Sequence, residues 1–77
     1  MEKIVEINTE YISLSNLLKL SGVIGTGGQA KLIIQDGLVD LNGAPCTKRG
    51  KKVYPGDEVK LNLDPEVKIT VRQEPKK

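Results

Sequence analysis

Aromatic residues are nearly missing from this chain. It has no Trp, Phe or His, and its two Tyr are Tyr11 and Tyr54. The core must therefore be aliphatic, assembled from Leu, Ile and Val. At 77 residues the chain lies near the lower end of what folds alone, so that core is thin. A deep, water-excluding catalytic pocket is not expected, and the chain is expected to work through its surface. Cysteine is as scarce. A lone Cys46 excludes an internal disulfide and a multi-cysteine metal site. Without histidine the usual zinc ligand sets are absent as well, and neither a metal nor another cofactor is expected. Cys46 reads as a small, half-buried strand residue, because no basic partner of catalytic type is present to activate it. No apolar run approaches the length of a membrane span, and Met1-Glu2-Lys3-Ile4-Val5-Glu6 has no signal-peptide pattern. A cytoplasmic protein with no membrane partner is the expectation.

Charge is modest in total and uneven in distribution. Twelve basic and ten acidic residues leave a formal net charge of +2, too little for a non-specific nucleic-acid coat. Between Leu41 and Pro55, however, Lys48, Arg49, Lys51 and Lys52 meet no acid. The opening stretch leans the other way, with Glu2, Glu6 and Glu10 against Lys3. One concentrated patch in a nearly balanced chain points to a localised contact surface.

No internal repeat, low-complexity segment or linker divides the chain, which is expected to form one domain over residues 1–77 with a fraying tail at 73–77. Lys3–Ile7 reads as a short strand. Ser13 stands as an N-cap before Leu14, Leu17 and Leu18 at helical spacing, and Gly22 is a natural stop. A second helix carries Ala30, Ile33 and Ile34 on one face. Thr26-x-x-Gln29 matches a capping box at its start, and Gly37 ends it. Neither helix is stable alone, so both must pack on something. Leu38–Leu41 leads into Asn42-Gly43, a tight-turn signal, and Tyr54-Pro55-Gly56-Asp57 supplies another. Val59, Leu61 and Leu63 alternate with polar residues, Asp64-Pro65-Glu66 turns the chain, and Val67, Ile69 and Val71 alternate again. The fold class is α+β: two short helices packed on one face of a small, mostly antiparallel sheet.

Two segments are candidates for function. The first is Gly25-Thr26-Gly27-Gly28-Gln29-Ala30-Lys31. As a dinucleotide fingerprint it fails, because a helix precedes it where a strand is needed. As Gly-x-x-Gly between two helices it matches the loop of the KH domain, an RNA binder. Glycines leave backbone N–H groups uncovered at a helix start, where the helix dipole favours an anion, and Lys31 adds a charge one turn in. The bland alternative is a tight interhelical turn. The second segment is Lys48-Arg49-Gly50-Lys51-Lys52, which follows a hairpin and is expected to project from the sheet. Its cations suit phosphate contacts, although a solvated loop protecting a sheet edge would look the same. With so few aromatics, base stacking like that on RRM sheets is not expected. Recognition would rest on phosphate and shape, with salt-sensitive affinity.

Three runs together carry a resemblance. They are Leu14-x-x-Leu17-Leu18-Lys19-x-x-Gly22, then Gly28-x-Ala30-Lys31-x-x-Ile34-x-x-Gly37-x-Val39-x-Leu41-Asn42-Gly43, and Val53-x-Pro55-Gly56-Asp57-x-Val59. This pattern, over roughly residues 12–63, resembles the S-four RNA-binding domain, and specifically its small stand-alone bacterial members. The resemblance implies an alpha-L-like RNA-binding motif in which the two helices and the following hairpin face RNA. Carried over residue by residue, it implicates Thr26, Gly27, Gly28, Gln29 and Lys31, with Lys48, Arg49, Lys51 and Lys52 beside them. Two departures shift the weight toward the lysines. Ser13 and Ser15 stand where many members have Arg and Asp, and Thr26-Gly27 stands where many have Ser-Arg, so bidentate phosphate clamps are missing.

The expected function is non-catalytic binding of structured RNA, namely ribosomal RNA or a ribosome-assembly intermediate, by a monomer that has the ribosomal subunit or assembly factors as further partners. The alternatives are a KH-like binder using the Gly25–Gly28 loop and a protein-interaction adaptor. A β-grasp sulfur carrier shares the two turns but needs a C-terminal Gly-Gly, and this sequence ends Lys76-Lys77. An enzyme is disfavoured because Asp36 and Asp57 sit beside glycine in turns, where turn formation explains them.

Overall fold

The computed structural model describes residues 1–25 and 27–75. The chain runs β1 (Glu2–Ile7), β2 (Ile12–Ser13), α1 (Leu14–Leu20), α2 (Gly27–Gln35), β3 (Val39–Leu41), β4 (Ala44–Pro45), β5 (Lys52–Val53), β6 (Glu58–Leu61) and β7 (Val67–Gln73). Five strands form one sheet in the order β1-β7-β6-β3-β4, and β2 pairs with β5 in a separate two-stranded ribbon. All pairings are antiparallel except β1 with β7, which is parallel in the register Val5↔Val71. The architecture is therefore the α+β fold that the two periodicities imply.

Each helix forms and stops for a local reason. Ser13 is extended at φ −69° and ψ 149°, and its Oγ accepts the Asn16 N–H at 3.4 Å, the N-cap role. Leu14, Leu17 and Leu18 then share one buried face. Past the last turn, Gly22 takes φ 77°. Helix α2 ends in a Schellman motif: Leu38 N–H donates to the Ile33 carbonyl at 3.2 Å and Gly37 N–H to the Ile34 carbonyl at 3.1 Å. Gly37 at φ 77° makes that closure possible. Thr26, the first residue of the expected capping box, lies outside the described residues.

The core is the aliphatic cluster that the composition demands. Leu14, Leu17, Leu18, Ala30 and Ile34 from the helices meet Val5, Ile7, Val39, Val59, Leu61, Val67, Ile69 and Val71 from the sheet. On the opposite face Lys60 bonds Glu66 at 3.5 Å and Lys68 bonds Glu58 at 2.7 Å. Two sequence expectations need correction. Strand β6 ends at Leu61, and Leu63 packs against the core from beyond it. Cys46 is half-buried but follows β4 instead of lying in a strand; its N–H still donates to the Val39 carbonyl at 2.9 Å. Gln73, the first residue of the expected tail, is the last residue of β7. Gln73 Nε2 and Glu74 N–H both donate to the Ile7 carbonyl, at 2.9 and 2.8 Å, because the parallel β1 ends alongside. Lys76 and Lys77 lie outside the described residues.

The two turns singled out in the sequence are bonded to each other. Asn42 and Gly43 take φ 51° and 86°, both left-handed, as a two-residue hairpin requires. Asn42 Oδ1 accepts Glu58 N–H at 2.9 Å, and its Nδ2 donates to Asp57 Oδ1 at 3.1 Å. Asp57 Oδ2 in turn accepts Tyr54 N–H at 2.8 Å. Asn42→Ala removes both side-chain bonds and leaves a residue disfavoured at positive φ. Unfolding stability should fall by about 1–3 kcal/mol, read as a lower urea midpoint at unchanged slope. Asn42→Gly, which restores the backbone freedom, should recover part of that loss.

Candidate nucleic-acid interface

The basic segment is positioned by its own backbone. Beyond Pro45 the chain passes Cys46 and Thr47 into a turn closed by Lys51 N–H donating to the Lys48 carbonyl at 3.2 Å. It then enters β5, where Lys52 pairs with Ser13 and Val53 with Ile12. That pairing lays the segment across the start of α1. Leu14 N–H donates to the Lys51 carbonyl at 2.9 Å, and Ser15 N–H donates to the Arg49 carbonyl at 3.1 Å. The first amides of a helix have no partner within it. Here the loop supplies two acceptors and Ser13 a third. The expectation that the segment projects from the sheet is therefore corrected: it folds back and caps a helix.

This geometry has two electrostatic consequences. The α1 amides are occupied, so that helix start has none of them left for a phosphate. With the Arg49 and Lys51 carbonyls turned toward the helix, the side chains of Lys48, Arg49, Lys51 and Lys52 remain exposed. Among the described residues the salt bridges are Lys60–Glu66 and Lys68–Glu58, both on the outer sheet face. None neutralises the basic segment. An open groove of about 550 Å³ lies alongside, lined by Lys48, Lys51 and Lys52 with Ala44, Thr47 and Tyr54. Its one carboxylate is Asp57, already held by Tyr54 N–H and Asn42. That engagement explains Asp57 as a turn residue.

The remaining predicted residues stand elsewhere. Gly27 opens α2, and Gly28, Gln29 and Lys31 are exposed in its first two turns. Thr26 lies outside the described residues. The chain connects this helix start to the far end of α1 from the basic segment, roughly 10 Å of helix away at 1.5 Å per residue. The structure thus clusters Lys48, Arg49, Lys51 and Lys52 at one helix start and places Gly27, Gly28, Gln29 and Lys31 at another.

Sequence reasoning passed over the tyrosines. Their rings lie 5.7 Å apart at 51°, and Lys52 Nζ sits 4.8 Å from the Tyr11 ring centre. Aromatic side chains are therefore present beside the basic segment. The signal that would have found them is the β2–β5 register, which places Tyr11 opposite Tyr54 once extended by one residue. Two-residue strands do not announce such a pairing.

With helix pair, hairpin and basic segment placed, comparison with known proteins is informative. The S4 domain matches residues 5–71 of this chain. The chain belongs to the S4 domain family. A relative from Bacillus subtilis (strain 168), named "Probable ribosome maturation protein RlbA", is 42% identical over 57 residues, covering 74% of this chain and 80% of that protein. One from Escherichia coli (strain K12), named "Putative RNA-binding protein YbcJ", is 39% identical over 49 residues, covering 64% and 70% respectively. A Shigella flexneri protein named "Uncharacterized protein YbcJ" matches to the same extent. The S4 match runs beyond the resemblance seen in sequence at both ends and takes in half of β1 and most of β7. Among the described residues no helix is long and apolar enough to cross a membrane.

Because the loop carbonyls hold the first amides of α1, those of Leu14 and Ser15 should be protected in native-state hydrogen exchange, unlike the frayed start of an uncapped helix. Exchange of both at the rate of an unstructured peptide would contradict the clamp.

Proposed function

We propose that this S4-family chain binds structured RNA, and that the segment 48–52 is its principal contact. The observation that carries this reading is four exposed cations in five residues, unpaired among the described residues and held on one helix start by backbone bonds. Several cations on a backbone-anchored segment suit a run of phosphates, which presents repeated negative charge. The names of the Bacillus subtilis and Escherichia coli relatives, ribosome maturation and RNA binding, support ribosomal RNA or an assembly intermediate as the target. The ribosomal subunit or its assembly factors are then the larger context, and the chain acts there as a cytoplasmic monomer without catalysis, as one domain.

Within this reading Lys48, Arg49, Lys51 and Lys52 supply the charge. Gly27, Gly28, Gln29 and Lys31 form a second contact, where backbone amides and one lysine meet a further phosphate; Thr26 would belong with them. Recognition through phosphates positions the RNA without reading much sequence. The affinity is then electrostatic and falls steeply with salt.

The test is binding to bacterial ribosomal RNA over a salt series. Lys48→Ala/Arg49→Ala/Lys51→Ala should weaken binding at least tenfold near physiological salt. It should also reduce the dependence of log affinity on log salt by about one unit per phosphate contact removed. Lys60→Ala/Lys68→Ala, which removes two cations already paired on the outer sheet face, should change neither. An affinity indifferent to salt and to the triple substitution would refute the proposal.

A further inference from the structure

Both aromatic residues of the chain stand at the surface, side by side. In a protein whose core is entirely Leu, Ile, Val and Ala, Tyr11 and Tyr54 keep 41% and 42% of their surface exposed. Burial does not account for their placement. Their setting is distinctive in a second way. Tyr54 lines the groove that Lys48, Lys51 and Lys52 also line, while the Lys52 ammonium lies 4.8 Å from the centre of the Tyr11 ring. Tyr11 thus holds a cation, and Tyr54 leans on Tyr11 at 5.7 Å and faces the groove.

The Tyr54 backbone is pinned. Its N–H donates to Asp57 Oδ2 at 2.8 Å, its carbonyl accepts Asp57 N–H at 3.0 Å, and Pro55 follows. A tyrosine has only two side-chain torsions, so on a fixed backbone it loses little entropy when something packs against it. An aromatic face beside a lysine offers the two contacts a single nucleotide needs, one for its base and one for its phosphate.

We propose that Tyr54 is a stacking platform for one unpaired base of the bound RNA, with Tyr11 as its buttress and Lys52 beside it for the adjoining phosphate. This rests on the RNA-binding reading above and sharpens it. The preferred substrate is RNA with a bulged or looped nucleotide next to a helix, because a continuous duplex keeps its bases stacked inward and offers Tyr54 nothing.

The experiment compares a short RNA hairpin carrying one bulged nucleotide with the same hairpin fully paired, at one salt concentration, for the wild type, Tyr54→Leu and Tyr54→Phe. The wild type should favour the bulged RNA roughly 5- to 150-fold, the range found for single base–aromatic stacks. Tyr54→Leu should bind the two alike and Tyr54→Phe should keep the preference. A fluorescent adenine analogue placed at the bulge gives a second readout that needs no variant, since stacking on Tyr54 changes its emission when the wild type binds. A wild type that binds both RNAs equally, or a Tyr54→Leu protein that keeps the preference, overturns the stacking proposal and leaves RNA binding standing. Failure to bind either RNA at low salt overturns the RNA-binding reading as well.

Discussion

The arrangement depends on two hydrogen bonds, from Leu14 and Ser15 N–H to the carbonyls of Lys51 and Arg49. They join a helix that needs acceptors to a loop that would otherwise be free, and each side solves a problem for the other. The helix start satisfies donors that an isolated helix leaves to water. The loop gains a fixed backbone, with its carbonyls turned toward the positive end of the helix dipole. The backbone that carries four cations is thereby anchored to one helix start.

That clamp is in turn supported by the link between the two turns. Asn42 and Asp57 fasten the β3–β4 turn to the segment leading into β6, and Asp57 also pins Tyr54 just beyond β5. The loop between these anchors is therefore constrained at both its ends. A thin aliphatic core tolerates this because the demanding interactions are at the surface, where water screens imperfect pairing. The outer sheet face makes the contrast. Its Lys60 and Lys68 are matched with glutamates, whereas no salt bridge among the described residues compensates the basic segment.

Much of this was legible in the sequence wherever the cause is local. Ser13 before Leu14, Leu17 and Leu18 marks a helix because the cap and the stripe lie within a few residues. Gly37 stops α2, and Asn42-Gly43 makes a hairpin, because positive φ limits what can stand there. The unpaired cations were likewise visible as a run without acids. What was hidden depends on partners far apart in the chain. The alternation of β1 and β7 states which residues face inward but not that the two strands run parallel. The clamp is made by carbonyls, which leave no side-chain signature, so the segment read as a projecting loop. Tyr11 and Tyr54 looked like isolated exceptions to an aliphatic composition until the β2–β5 register set them opposite each other.

The central claim is that RNA meets the face formed by the basic segment and the α1 start, and does not meet the outer face of the sheet. The most direct measurement is an amide chemical-shift map of the labelled protein titrated with a structured ribosomal RNA fragment. The account predicts the largest changes at Lys48–Tyr54 and Tyr11–Asn16, a smaller set at Gly28–Lys31, and none at Glu58, Lys60 and Lys68. Changes concentrated on the outer-sheet residues, with residues 48–54 silent, would contradict it.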